Sequence, residues 1–349
     1  MNGFALFRQP YGTTVTWVEG PVRQLPSYAA LNRCQGFVVA PFVVTDQEPV
    51  LLIQPERVES GPVARDSFVV PDVEDHKTAW RPTERMHYAV DFANFHAHLL
   101  NGDYRKLVLS RCVMERKSPD LSPAELFWRA CESYPRLFIA LTYTPQSGLW
   151  LVATPEVLLE HGDGRWRTMA LAGTVKLKDS QLQQDVPPME WSVKNIQEQR
   201  YVATYMMESL QQFTNDITED GPRTTRAANL VHLRSDFTFT LPGSDCLGDV
   251  LQVLHPTPAV CGLPKREACR FILSNEHTPR HYYSGFMGPL QLDGETHLFV
   301  SLRCMKMEGD DCYLYAGGGL LRESSEEQEW QETEAKMETM RALLIQKSE

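Results

Sequence analysis

Short apolar runs broken by turn residues dominate this chain, and they narrow what it can fold into. In the first quarter, up to about Glu74, Thr14-Val15-Thr16-Trp17-Val18, Phe37-Val38-Val39 and Val50-Leu51-Leu52-Ile53 are separated by Gly, Pro and Asp, the pattern of short strands. Residues 106–111, 138–143 and 149–152 read as further strands, and Asp163-Gly164 suits a tight hairpin turn. Residues 282–315 read as several strands with a turn at Asp293-Gly294. Hairpins join antiparallel neighbours, whereas parallel strands need long crossovers.

Helices interrupt this pattern irregularly. Tyr88, Phe92, Phe95 and Leu99 share one face at helical spacing, which predicts a helix after Thr83. Ser122-Pro123-Ala124-Glu125 is a capping box with proline at the first helical position. Further helices are predicted over residues 188–213, from Pro264, and from Ser324 or Ser325 to Gln346, with Ser324 and Glu327 at capping-box spacing. Residues 218–228 are polar, contain Gly221-Pro222, and read as an exposed loop. The implied fold is α+β, with large, mainly antiparallel sheets and helices packed outside, rather than a Rossmann-type sheet. No repeat or linker divides the chain, so residues 1–84 are expected to be a β-rich part of the same fold as residues 85–349.

With 349 residues the chain can bury one large core or two ordinary ones. Its net charge of -11 argues against a general nucleic-acid binder. An anionic ligand would therefore need local positive charge or a metal ion. The eight cysteines form no CxxC pair and read as reduced core residues, not as a disulfide frame or zinc site. Residues 1–8 show no signal peptide and no apolar run is long enough to span a bilayer, so a soluble, cytoplasmic monomer is expected.

Several residues admit a functional reading beside a plain one. Lys106 opens an apolar strand run, where a lysine usually snorkels to water. Glu156 ends a strand at Thr-Pro-Glu, as a turn carboxylate would. Glu329, Glu332 and Lys336 stand at i, i+3 and i+7 and share a helix face. His232 and His255 have the setting of structural histidines. Ala316-Gly317-Gly318-Gly319 precedes the last helix and could present backbone N–H groups to an anion, but it is no dinucleotide fingerprint.

Taken together, four segments resemble the chorismate-utilising enzymes, a family that includes isochorismate, salicylate, anthranilate and aminodeoxychorismate synthases. They are Lys106-Leu107-Val108-Leu109-Ser110-Arg111, Ala153-Thr154-Pro155-Glu156, His255-Pro256-Thr257-Pro258-Ala259-Val260-Cys261-Gly262, and Glu329-Trp330-Gln331-Glu332-Thr333 with Lys336. Ala170-Leu171-Ala172-Gly173-Thr174 and Ser301-Leu302-Arg303-Cys304 extend the resemblance over roughly residues 85–345. The resemblance implies that Lys106 activates water for attack at ring carbon 2 of chorismate, and that Glu156 protonates the hydroxyl leaving carbon 4. It further implies that Glu198 and Glu332 bind Mg2+, with Glu329 nearby or bound through water. Arg303 and Lys336 would hold the pyruvyl carboxylate. Gly173, Thr174, His232, His255, Ala259, Gly317 and Gly318 would line the substrate site. The family often has an acidic residue three positions before Glu198 and a histidine just after it. Here those positions hold Asn195 and Gln199.

Within the family, Lys106 implies water as the nucleophile, where ammonia-using relatives usually carry glutamine. Ala172 removes the lysine that attacks the ring in aminodeoxychorismate synthases. Ala259 stands where the pyruvate-eliminating relatives tend to have threonine. The expectation is an Mg2+-dependent isochorismate synthase acting in menaquinone or siderophore synthesis. Salicylate synthase, an anthranilate or aminodeoxychorismate synthase component, and a non-catalytic chorismate-binding protein are the alternatives.

Overall fold

The computed structural model describes residues 2–64, 68–71, 73, 82–177, 189–227, 230–241 and 243–345. Two antiparallel sheets face each other and share one long strand. In the first sheet the strand order is Arg57–Pro62, Thr14–Leu25, Asn2–Arg8, Phe138–Thr144, Gly148–Thr154, Cys304–Glu308, Asp311–Leu320, Lys106–Arg116 and Gly262–Leu263. The second runs Thr14–Leu25, Val50–Ile53, Gly36–Ala40, Phe286–Leu290, Thr296–Val300, Val157–Gly162, Arg165–Lys176, Leu230–Phe239 and Ile217–Ala227. Thr14–Leu25 pairs through Thr14–Glu19 in one sheet and through Val22–Leu25 in the other. Gly20 makes the corner possible, because a Cβ there would collide with the Gln54 carbonyl oxygen.

Period-two alternation sorts the side chains into layers. Phe7, Phe138, Trp150 and Tyr315 of the first sheet point inward and meet Phe37, Leu51, Met287 and Phe299 of the second. Phe138 stacks on Phe299 with ring centroids 4.2 Å apart. The alternate residues Ile139, Leu141 and Leu151 face out, under Leu126 and Phe127 of the helix Pro123–Ser133 and Met340 and Leu343 of the helix Glu326–Leu344. On the far side, Val202, Ala203 and Met206 of the helix Val193–Leu210 and Leu247, Val250 and Leu251 of Leu247–Leu254 cover the second sheet. The helices Arg85–Asn101 and Lys265–Asn275 close one end over Leu107, Leu109 and Leu320. Central strands are thus buried on both faces, and each large apolar side chain placed there contributes about 1.5–3 kcal/mol. This is the α+β arrangement the sequence implies, with helices outside.

The Ser122 cap forms, its side chain accepting from the Glu125 N–H. Asp163-Gly164 and Asp293-Gly294 turn with positive φ at both positions. Residues 218–228 depart from expectation. The described part, Ile217–Ala227, is a strand rather than a loop. It is an edge strand, mostly exposed, and its pairing shifts register between Asp220 and Arg223, where Gly221 and Pro222 lie. An edge strand with polar side chains needs no apolar pattern, and proline is tolerated at such a bulge. Ser324 does not cap the last helix either. Ser325 holds that position without a side-chain bond, and Ser324 Oγ accepts from Leu321 N instead. The predicted ends at Pro188 and Gln346 lie outside the described residues; the helices observed there are Val193–Leu210 and Glu326–Leu344. All eight cysteines are free thiols. No helix among the described residues is long and apolar enough to cross a membrane.

Candidate active site

A cleft opens between the two sheets. It is lined by Glu156, Ala172, Gly173, Thr174, Glu198, His232, Ala259, Tyr283, Arg303, Tyr315, Gly317, Gly319 and Lys336, among others. Separate elements bring these residues together. Glu156 follows the strand Gly148–Thr154, and its carbonyl accepts from Val300 N, tying it to the second sheet. Gly173 sits at the register shift of Arg165–Lys176 with φ +72. A side chain there would press on Asn195, with its Cβ 3.1 Å from that of Asn195. Glycine therefore lets the helix Val193–Leu210 approach the sheet and deliver Glu198.

Lys106 opens the strand Lys106–Arg116 and its side chain is fully buried. Its Nζ lies 3.0 Å from Glu198 Oε1. It does not itself line the cleft; Glu198 stands between. Gly319, on the neighbouring strand, passes directly over this pair. A Cβ on Gly319 would overlap Glu198 Oε1 and lie 3.0 Å from Lys106 Cε. Burial acts to raise the Glu198 carboxyl, but the charges of Lys106, Lys194 and Lys336 together outweigh it and hold the group below its ordinary value.

Glu156 has the opposite balance. Burial pushes its carboxyl up to about 8, against the smaller pull of Lys106, Lys336 and Arg303. It is a protonated acid at neutral pH, held inside the cleft.

Three glutamates meet near Gly318 and Gly319, and each is turned to a lysine. Glu198 pairs with Lys106, Glu329 with Lys194, and Glu332 with Lys336 at 2.7 Å. Lys336 Nζ also donates to Gly317 O at 2.8 Å. Burial and the neighbouring Glu332 charge raise Glu329 to about 7. Among the described residues no three His, Cys, Asp or Glu side chains are grouped as a ready metal site.

Arg303 and His232 form one wall of the cleft. Arg303 Nη1 donates to Ala227 O at 3.0 Å, and Nη2 lies 2.7 Å from His232 Nε2. His232 Nδ1 lies 3.1 Å from Gly173 O and 3.3 Å from Thr174 Oγ1. Burial lowers Arg303 to about 10, so it keeps its charge at neutral pH.

The structure does not bring His255 to the cleft. It is buried between Tyr28 and Phe286, with ring centroids 5.0 Å away in each case, and its Nε2 faces Phe42 O. Burial and Lys265 hold its pKa down at about 3, so it is a neutral core residue. Gly318 lies under Glu329 and Glu332 rather than on the cleft wall. Gln199 is buried and donates to Ser235 Oγ at 2.8 Å, bracing the helix against the second sheet. Sequence reasoning missed Lys194, Tyr283 and Tyr315. Lys194 had a signal, since it precedes Glu198 by one helical turn. Tyr315 directly precedes the Ala316-Gly317-Gly318-Gly319 run and had that signal, whereas Tyr283 stands in a turn away from the motifs and had none.

The two sheets thus gather a buried acid, a buried lysine–glutamate pair and an arginine around one cleft. The chain belongs to the family described as chorismate binding enzyme, whose model matches residues 64–345. Isochorismate synthase MenF of Escherichia coli (strain K12) is 38% identical over 199 residues, which are 56% of this chain and 45% of that protein. Isochorismate synthase EntC of the same organism is 27% identical over 238 residues, 67% of this chain and 61% of that protein. The matches thus span 45% and 61% of these curated relatives' lengths. The solved structure of MenF, the menaquinone-specific isochorismate synthase from Escherichia coli, superposes with a TM-score of 0.82 at 25% identity. It covers 99% of this chain and 89% of its own.

Proposed function

We propose that this chain interconverts chorismate and isochorismate with the help of Mg2+, in menaquinone synthesis. The observation that carries this reading is the pairing of opposite proton states in one cleft. Glu156 is held as a neutral acid, while the Lys106–Glu198 pair lies on the far side of the Gly319 backbone. Addition at one ring carbon and loss of hydroxide from another needs a base and an acid that do not quench each other. Once Lys106 has given up its resting proton to solvent, the neutral amine takes a proton from water as its oxygen bonds to carbon 2, the ring double bond shifts, and Glu156 gives its proton to the hydroxyl leaving carbon 4; a proton returned from Lys106 to Glu156 through solvent resets the pair. One water is consumed and one released, so the product is an isomer. Arg303 and Lys336 hold the substrate's carboxylate charge.

The glutamates fit a magnesium ion. They offer only oxygen ligands, which suit this hard cation. Glu329 Oε2 is buried without a hydrogen-bond partner among the described residues, so it has a free acceptor. A Cβ on Gly318 would lie 3.1 Å from Glu329 Oε2 and 3.8 Å from Glu332 Oε1, so both carboxylates converge over a residue with no side chain. Bound there, Mg2+ would supply positive charge between Glu198, Glu329, Glu332 and an anionic substrate.

Ala172 in the cleft wall supports water over an amine nucleophile, and Ala259 supports stopping at isochorismate. The test is to incubate purified protein with chorismate and magnesium chloride and separate the products. Isochorismate should appear, and the same mixture should form from either side. Equimolar salicylate and pyruvate, or anthranilate made only with ammonium, would place the chain on another branch. Binding with no conversion would make it a binding protein.

A further inference from the structure

Lys194 has no part in the proton transfers assigned to Lys106 and Glu156, yet its ammonium group sits at the outer end of the carboxylate cluster. It is the second residue of the helix Val193–Leu210, one turn before Glu198. Its Nζ pairs with Oε1 of Glu329, whose side chain is only 1% exposed. The negative charges of Glu329, Glu198 and Glu332 all act on it.

The three glutamates and three lysines cancel one for one. A divalent cation entering this cluster adds charge that nothing in the protein offsets, unless a lysine withdraws. Lys106 is fully buried and has nowhere to go. Lys336 is held twice, by Glu332 and by Gly317 O. Lys194 differs from both. Its side chain is 21% exposed, and it lines a second, outer cavity with Thr174, Lys176, Ser192 and Glu332. It can leave Glu329 by rotating into that space.

We propose that Lys194 is a tethered cation that competes with Mg2+ for Glu329, so that the metal enters only as the Lys194 ammonium leaves. In the metal-free protein it neutralises a carboxylate that burial would otherwise leave exposed to its like-charged neighbours. It also weakens the site for free Mg2+, because only the fraction of molecules with Lys194 turned out can accept the ion. An anionic substrate restores the charge balance, which favours metal and substrate arriving together. This inference rests on the Mg2+ reading above.

The experiment is calorimetric titration of Mg2+ into the full chain without chorismate, using wild type, Lys194→Met and Lys194→Gln. Removing the competitor should tighten Mg2+ binding by about tenfold and enlarge the thermal stabilisation that Mg2+ confers. Lys194→Arg keeps a tethered cation and should stay near the wild-type affinity. Lys176→Met removes the same charge from the same cavity without touching a glutamate pair, and should change affinity much less. Damage to the helix would weaken Mg2+ binding, so the sign separates competition from a structural role. Equal or weaker binding in both Lys194→Met and Lys194→Gln, or an equal gain in Lys176→Met, overturns the competition. If wild type and every variant show neither heat nor thermal shift with Mg2+, the metal reading itself fails, and this inference fails with it.

Discussion

Arg303 Nη2 lies 2.7 Å from His232 Nε2, and this one contact fixes the state of the histidine. A guanidinium can only donate, so Nε2 must accept and the ring proton must sit on Nδ1. There it donates to Gly173 O, 3.1 Å away. Burial, then the charges of Arg303 and Lys336, push the imidazole well below its ordinary pKa. His232 therefore serves as a neutral strut that aims Arg303 into the cleft. We expect nitrogen-15 spectra to show a protonated Nδ1 and a bare Nε2, unchanged between pH 5.5 and 8. A His232 signal titrating near the ordinary histidine value would contradict this tautomer.

Replacing Lys106 with methionine keeps the buried stem and removes the proposed base. Turnover should fall by about 10²- to 10⁴-fold, the usual worth of a positioned general base. The change also strands the Glu198 carboxylate, at a stability cost of up to about 3–5 kcal/mol for a broken buried pair. Lys194 and Lys336 still act on Glu198, so the protein should fold and bind chorismate. Rate and chorismate affinity measured side by side test this, and near-normal turnover would remove Lys106 from the chemistry.

The motifs pointed to Lys106, Glu156, Arg303 and Lys336 because each lies in a short run whose neighbours are also constrained, whereas Glu198 stood apart from them with Asn195 and Gln199 beside it. What they hid is three-dimensional. His255 sits four residues before Ala259, yet only Ala259 reaches the cleft; His255 turns back into the packing of Tyr28 and Phe286. The strand Ile217–Ala227 read as a loop because a polar edge strand carries no apolar alternation. The large antiparallel sheets with helices outside were legible from hairpin turns. The sheet-switching bend at Gly20 was not, since it depends on the Gln54 carbonyl from another strand.

Glu156 predicts a pH dependence with a definite sign. Its carboxyl is raised to about 8, chiefly by burial, and in the proposed mechanism the protonated form is the acid. Below that value the acid form predominates and Glu156 does not limit the rate. Above it the rate should fall about tenfold per pH unit. The same shift bears on stability. A raised carboxyl stabilises most below its unfolded value, and that advantage declines as pH rises towards 8. Glu156→Gln keeps the shape and removes the proton, so activity should be lost at every pH. A rate that climbs steadily from pH 7 to 9.5 would rule Glu156 out as the proton donor.

Glu332→Gln tests the cation. An amide keeps one oxygen and gives up the charge, so the magnesium concentration needed for half-maximal rate should rise by about tenfold or more. It also frees Lys336 from its 2.7 Å pair, which leaves the lysine to Gly317 O and the substrate. Chorismate turnover measured across a magnesium titration reads both effects. Full activity of the wild type in excess chelator would sink the metal requirement.

Gly319 offers the sharpest geometric test, because its backbone separates the cleft from the buried lysine. A Cβ at this position would overlap Glu198 Oε1 and sit 3.0 Å from Lys106 Cε. Both neighbours are buried, and the strand is paired along its length with Lys106–Arg116, Gly319 standing opposite Val108. The carboxylate must therefore move, and it takes the base partner and a metal ligand with it. Overpacking of this kind costs about 1–3 kcal/mol of stability, while a displacement of about an ångström in a catalytic group can cost about a hundredfold in rate. Gly319→Ala should consequently fold, with a modestly lower melting temperature, and lose at least that much turnover. Gly318→Ala meets Glu329 Oε2 at 3.1 Å and Glu332 Oε1 at 3.8 Å and should act mainly on the magnesium requirement. Steady-state rates and thermal melts of the two variants distinguish them. A Gly319→Ala enzyme with wild-type turnover would mean that Glu198 and Lys106 do not work where the structure places them.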